Sequence, residues 1–236
     1  MTLAAKVDAL TAVLRDVAAR HAPAVCASSF GVEDMVVVDL IARDALPIGV
    51  FTLDTGRLPD ETHALIARTR QRYGIVVDVF FPDAAELAPF VRAHGVNAFY
   101  DGTELRRQCC AIRKTAPLAR ALAGKGAWIT GLRRGQSVTR SDLAATEFDA
   151  LHGLPKFNPL ADWSDAEAWA YIRANDVPYN ALHDRGYPSI GCEPCTRAVK
   201  AGEHPRAGRW WWEQPELKEC GLHRRPAGDA ATAGAR

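Results

Sequence analysis

The 236-residue chain contains no run of apolar residues approaching the roughly 20 that a membrane-spanning helix requires, so no membrane contact is expected. Met1 to Arg20 carries acids at Asp8 and Asp16 and lacks a continuous apolar h-region, which argues against a secretory signal and makes the cytoplasm the expected location. An excess of one charge is also missing. The net charge is +1, so no nucleic-acid partner is expected and charge is informative only where it clusters. A Walker loop is absent as well: Lys125 and Gly126 lack the spaced glycines and the Ser/Thr, and phosphoryl transfer finds no support. The chain is long enough to bury a core without staples, and in a reducing compartment its six cysteines point to metal or redox chemistry before disulfides.

What is present reads as α/β. Val7, Leu10, Leu14 and Val17 recur at helical spacing within 5–20. Short apolar runs bounded by turn residues follow at 24–28, 48–53, 75–81 and 127–130, with helical stretches 33–44 and 59–73 between the first three. That alternation predicts a mostly parallel sheet with helices on both faces, and ligands of such sheets bind at the carboxyl ends of strands. A further helix should open at Ser164, where serine with Glu167 three residues on makes a capping box. The Ala/Gly-rich end, 225–236, is expected to be disordered.

Three segments fall at the expected strand ends. Ser28-Ser29-Phe30-Gly31-Val32-Glu33-Asp34 joins a strand to a helix, where small residues let backbone N–H groups approach an anion. Leu53-Asp54-Thr55-Gly56-Arg57 offers polar handles for a base or ribose, although an ordinary Asx turn reads the same way. Arg133, Arg134 and Arg140 lie within eight residues of a Gly-containing loop, and guanidinium forks suit phosphate or sulfate.

The cysteines divide four to one, with Cys26 expected in the core. Adjacent Cys109 and Cys110 fit poorly on one zinc, whereas a cubane iron–sulfur cluster offers separate corners to them and to Cys192 and Cys195. Lys114, four residues after Cys110, would share its helix face and bring a positive charge to an anionic cluster. Cys220 lies near Arg206, Arg209, Lys218 and His223, a setting that favours the thiolate and hence a nucleophile. Trp210-Trp211-Trp212 reads as an anchor for the tail's base, with stacking on a substrate as the alternative.

Together the strand-end motifs, the arginine loop, the two cysteine pairs and Lys218-Glu219-Cys220-Gly221-Leu222-His223 resemble the assimilatory adenylyl-sulfate (APS) reductases, iron–sulfur members of the APS/PAPS reductase family. The resemblance implies an adenine-nucleotide alpha-hydrolase-like fold with a modified PP-loop. It implies an α/β nucleotide-binding and iron–sulfur domain over 1–200 and a mobile segment, 201–236, carrying the catalytic cysteine. It further implies one [4Fe-4S] cluster per subunit on Cys109, Cys110, Cys192 and Cys195. The implied substrate-binding set is Ser28, Ser29, Phe30, Gly31, Glu33, Asp34, Leu53, Asp54, Thr55, Gly56, Arg133, Arg134, Arg140, Arg206 and Arg209. Cys220, His223 and Lys114 would be catalytic. The implied reaction is thioredoxin-dependent reduction of APS to sulfite and AMP through a Cys220 thiosulfonate, in sulfate assimilation and cysteine biosynthesis. A thioredoxin or glutaredoxin-like protein would supply the electrons, and a homo-oligomer is an expectation of the same resemblance.

Three other readings compete. Relatives that reduce the 3'-phosphorylated substrate typically lack the paired cysteines. A tRNA-thiolating PP-loop ATPase should show Ser-Gly-Gly-x-Asp-Ser where Phe30, Glu33 and Asp34 stand. A non-enzymatic metal module leaves Cys220, His223 and the arginines unused.

Overall fold

The computed structural model describes residues 1–137, 140–214 and 222; Cys220, His223 and the 225–236 end lie outside them. Helix α1 (Leu3–Arg20) starts at Thr2, whose side chain accepts from the Ala5 N–H, and it buries Leu10, Leu14 and Val17 as the spacing predicts. Strands β1 (Ala24–Ala27), β2 (Ile48–Leu53) and β3 (Val77–Phe80) alternate with helices α2 (Val32–Arg43) and α3 (Asp60–Tyr73). The run after β3 holds α4 (Ala84–His94), α5 (Thr103–Cys110), a π-helical turn (Ala111–Thr115) and α6 (Ala116–Leu122) before β4 (Ala127–Ile129). A hairpin of β5 (Thr146–Asp149) and β6 (Leu154–Phe157) precedes α7 (Asp165–Ala174), which opens on the expected Ser164–Glu167 capping box.

The six strands form one sheet ordered β3-β2-β1-β4-β6-β5. All neighbours are parallel except β5, which pairs antiparallel to β6 as an edge. Side-chain alternation assigns the two faces. Ala24, Cys26, Ile48, Val50, Ala127 and Ile129 point into a core with α1, α2 and α7, whereas Val25, Phe51 and Trp128 pack with Leu118, Ala121 and Leu122 of α6. Met35, Val36, Val37 and Val38 of α2 are completely buried, each contributing about 1.5–3 kcal/mol. Cys26 is a core residue, as expected. The strands at 75–81 and 127–130 are shorter than their apolar runs, because hydrogen-bonded pairing, not hydropathy, sets a strand's ends.

Candidate active site

Strands β1 and β4 are adjacent and parallel, yet the chain leaves β1 toward β2 and β3 and returns on the other side at β4. This is a topological switch point, where the loops after two parallel strands diverge and leave a crevice. The loop 28–34 follows β1 and the loop starting at Gly131 follows β4. They touch: a Cβ on Gly131 would collide with Asp34 Oδ1 and with the backbone of α2, so only glycine permits this approach. Within the first loop, the Ser29 N–H and hydroxyl donate to Asp34 Oδ2 at 2.6 and 2.7 Å, and the Phe30 N–H donates to Ser28 Oγ at 3.1 Å. Phe30 has φ +60°, strained by about 1–3 kcal/mol for a bulky residue, but its ring is 1% exposed in the core, which offsets that cost.

Burial raises the Asp34 carboxyl to about 6, against the hydrogen bonds from Ser29 that pull it down. Between an ordinary 3.8 and about 6, folded Asp34 holds a proton that the unfolded chain has released, so its contribution makes stability fall as pH rises through that window. The difference amounts to roughly 3 kcal/mol. Urea unfolding from pH 4 to 7 should therefore show a shallower pH slope for Asp34→Asn than for the unaltered chain.

The loop after β2 is an Asx turn, with Asp54 Oδ1 accepting from the Gly56 N–H at 2.8 Å and Oδ2 2.9 Å from His63 Nε2. Thr55 reaches elsewhere. Its hydroxyl lies 3.2 Å from Cys192 Sγ, and its carbonyl accepts from Arg113 Nη1 at 2.6 Å. The strand-end crevice and the cysteines are thus one continuous region.

The arginine loop is more structured than expected, with a 3-10 turn over Arg134–Gln136. Arg133 is 5% exposed and is held by Glu33 at 2.7 Å, Asp165 at 3.0 Å and the Trp163 carbonyl at 3.5 Å. Arg134 donates to the Leu143 carbonyl and pairs with Asp162, while Arg140 donates to Gln136 Oε1 at 2.6 Å. Arg133 therefore clamps the starts of α2 and α7 together.

Cys109, Cys110, Cys192 and Cys195 line one cavity with Arg57, Phe99, Arg106, Arg113, Lys114 and Trp210. The π turn that follows Cys110 widens the helix, so consecutive Cys109 and Cys110 and consecutive Arg113 and Lys114 all reach this cavity. Burial pushes the Cys109 thiol up against the pull of Arg113, and burial with repulsion from Cys192 pushes Cys195 up to about 12. Burial would raise Cys192 as well, but the Lys114 charge, the Thr55 hydroxyl and the Arg209 and Arg113 charges bring it below the ordinary thiol range.

Thiolates here would repel one another, which metal ligation relieves, and the surrounding cations suit the net negative charge of a thiolate-bound iron–sulfur cluster. Among the described residues no group of three or more His, Cys, Asp or Glu converges as the ligands of a metal ion would. A cluster with an iron at each corner does not require that convergence. Arg113 Nε and Trp210 Nε1 are buried without a hydrogen-bond partner, and both side chains line the cavity, where sulfur acceptors would satisfy them. The donor set therefore fits an iron–sulfur cluster.

Residues 201–214 pack against this centre. The Trp210 N–H donates to the Cys195 carbonyl at 3.1 Å, and the Arg197 N–H donates to the Gly208 carbonyl at 3.0 Å. Trp210 is 1% exposed, with the Arg106 and Arg209 guanidinia each 4.8 Å from its ring centroid, and Trp212 packs on Tyr100 at 4.5 Å. Arg209 is buried and donates to the Ile190 carbonyl at 3.0 Å, while Arg206 is half-buried. Cys220 and His223 lie outside the described residues, but Leu222 packs against the core on the α6 face of the sheet, which Val25, Phe51, Trp128 and α6 form. Sequence reading missed Arg57, Arg106, Arg113 and Glu213. Position relative to Cys109 could have flagged Arg113, four residues on, but nothing local marks Glu213 as the partner of Arg106.

No helix among the described residues is long and apolar enough to cross a membrane. The pattern of the family described as "Phosphoadenosine phosphosulfate reductase domain" matches residues 23–198. The chain is 55% identical over 221 residues to the adenosine 5'-phosphosulfate reductase of Burkholderia cepacia, covering 94% of this chain and 88% of that one. The crystal structure of phosphoadenylyl-sulfate (PAPS) reductase from Candida auris in a phosphate complex superposes with TM-score 0.69 at 28% identity, covering 80% of this chain and 90% of that one. The FMN adenylyltransferase of Candida glabrata shares the fold at TM-score 0.58 and 14% identity, over 98% of this chain and 77% of that one.

Proposed function

The chain belongs to the phosphoadenosine phosphosulfate reductase domain family, and from that premise we propose that it reduces adenosine 5'-phosphosulfate to sulfite and AMP in sulfate assimilation. The observation that carries the reading is the Thr55–Cys192 contact, which joins the strand-end crevice to the cavity of four thiols and four cations, Arg57, Arg106, Arg113 and Lys114. The adenosine would lie at the ends of β1, β2 and β4, near Ser28, Gly31 and Leu53 to Gly56. Its phosphosulfate would face Lys114, with Arg140, Arg206 and Arg209 as further anion-binding candidates.

Chemistry then falls to the tail, the catalytic segment that follows residues 201–214, which pack on the cysteine cavity through Trp210 and Glu213. The Cys220 thiolate attacks the sulfur, the sulfur–oxygen bond to phosphate breaks with its electron pair, and AMP leaves a Cys220 thiosulfonate. A thiolate of a thioredoxin or glutaredoxin-like partner attacks Cys220 Sγ and expels sulfite. The partner's second thiol resolves the mixed disulfide, so its dithiol supplies both electrons. His223 would hold the thiolate beside a positive charge. A [4Fe-4S] cluster on Cys109, Cys110, Cys192 and Cys195 would supply a fixed anionic centre that orders the helix turn bearing Arg113 and Lys114. Leu222, two residues from Cys220 and packed against the α6-side core, supports a tail that folds back onto the domain.

Anaerobic incubation with radiolabelled APS followed by mass mapping tests the reaction. A sulfonate adduct on Cys220 is expected, and label on no cysteine would sink the proposal. Parallel assays with the 3'-phosphorylated substrate should give the lower kcat/KM. Lys114→Ala should lower kcat by about 10²–10³-fold, the effect of removing one preorganised charge-stabilising group. Unchanged turnover with the cluster intact would remove Lys114 from the chemistry.

A further inference from the structure

We propose that Asp34 is a specificity-determining residue: it fills the anion-binding corner at the start of α2, so the crevice admits a nucleotide whose anionic end runs toward the cysteine cavity and rejects nucleoside triphosphates. This rests on the crevice being a nucleotide site, the reading proposed above. A loop from a parallel strand into a helix ordinarily offers its N–H groups and the positive helix end to a phosphate chain. Here the Ser29 and Phe30 donors of the loop are already engaged by the chain itself, although α2 itself has no side-chain cap. The Ser29 N–H and hydroxyl both donate to Asp34 Oδ2, at 2.6 and 2.7 Å, and the Phe30 N–H donates to Ser28 Oγ at 3.1 Å.

The other side of the carboxylate is closed too. Gly131 lies so near that a Cβ there would overlap Asp34 Oδ1, and Asp34 is 9% exposed. Glu33 stands beside it in the first turn of α2, held by an Arg133 that is shared with Asp165. The one guanidinium of this corner is thus already shared by Glu33 and Asp165, and Asp34 adds a third carboxylate beside them. His183, which feels the charges of Glu33 and Asp165, is driven toward its neutral form by burial and adds little positive charge. A polyphosphate entering here would meet loop donors that Asp34 and Ser28 already occupy, and like charge. At the opposite end Arg57, Arg106, Arg113 and Lys114 line the cysteine cavity, so positive charge is concentrated in that direction.

The test is calorimetric titration of ATP and of AMP into the full-length, cluster-loaded protein at pH 8. Asp34→Ser, which removes the charge and frees the donors, should raise the ratio of ATP to AMP affinity by about tenfold or more. Asp34→Asn keeps an oxygen that can accept from Ser29 but removes the charge, so the ratio should rise by a smaller factor. Its near-identical shape keeps the test decisive if Asp34→Ser fails to fold. A ratio unchanged within about twofold in the folded variants would overturn the proposal. Failure of AMP to bind the unaltered protein would overturn the nucleotide reading, and this inference with it.

Discussion

Cys220→Ser should abolish sulfite release, by a factor on the order of 10⁴ or more, and should yield no sulfonate adduct while the bound iron stays unchanged. The size follows from the chemistry. A serine hydroxyl at neutral pH is un-ionised and a poor nucleophile toward sulfur, and it cannot be released by thiol exchange, so both halves of the cycle fail together. The cations around the substrate would still bind the nucleotide. AMP affinity should accordingly remain measurable by calorimetry in this variant, which separates lost chemistry from lost binding. Residual sulfite production within about tenfold of the unaltered enzyme would transfer the nucleophile's role to another thiol.

Arg106→Ala should have the largest effect on stability. The Arg106 guanidinium donates to Glu213 through Nε at 2.9 Å and Nη2 at 2.7 Å, and the two side chains are 1% and 3% exposed. Removing one partner of such a pair leaves a buried charge uncompensated, a loss of about 3–5 kcal/mol. For a chain of this size that corresponds to a fall in Tm on the order of 10 °C. The paired variant Arg106→Met with Glu213→Leu removes both charges and should be milder than either single truncation, a non-additivity that a double-mutant cycle measures. Arg106 also stacks on Trp210 and lines the cysteine cavity, so iron should be lost from Arg106→Ala more readily than from the unaltered protein. Equal melting temperatures for Arg106→Ala and the unaltered chain would show that the pair contributes little.

The parallel core was legible because each strand ended in turn residues and alternated with a periodic helix. Residues 48–53 were read with the bounds the structure gives β2, and the Ser164–Glu167 capping box marked α7. The hairpin of β5 and β6 escaped, since strands such as Thr146–Asp149, at an exposed edge, carry little apolar patterning. The arginine loop illustrates a second limit. Three closely spaced arginines signal an anion, but whether a guanidinium faces a ligand or a carboxylate depends on partners such as Glu33, 100 residues away from Arg133 in the chain.

Local spacing and residue chemistry alone determined the α/β class, the strand-end position of the loops at 28–34 and 53–57, the cysteine pairs and the family resemblance, because each is encoded within a few neighbouring residues. The tertiary structure decided which of these meet. It brought Cys109 and Cys110 to Cys192 and Cys195, placed Thr55 against Cys192, set Gly131 against Asp34 and bound Arg106 to Glu213. Those contacts join residues far apart in sequence, and they exist only because sheet order and helix packing fix which distant side chains share a buried space.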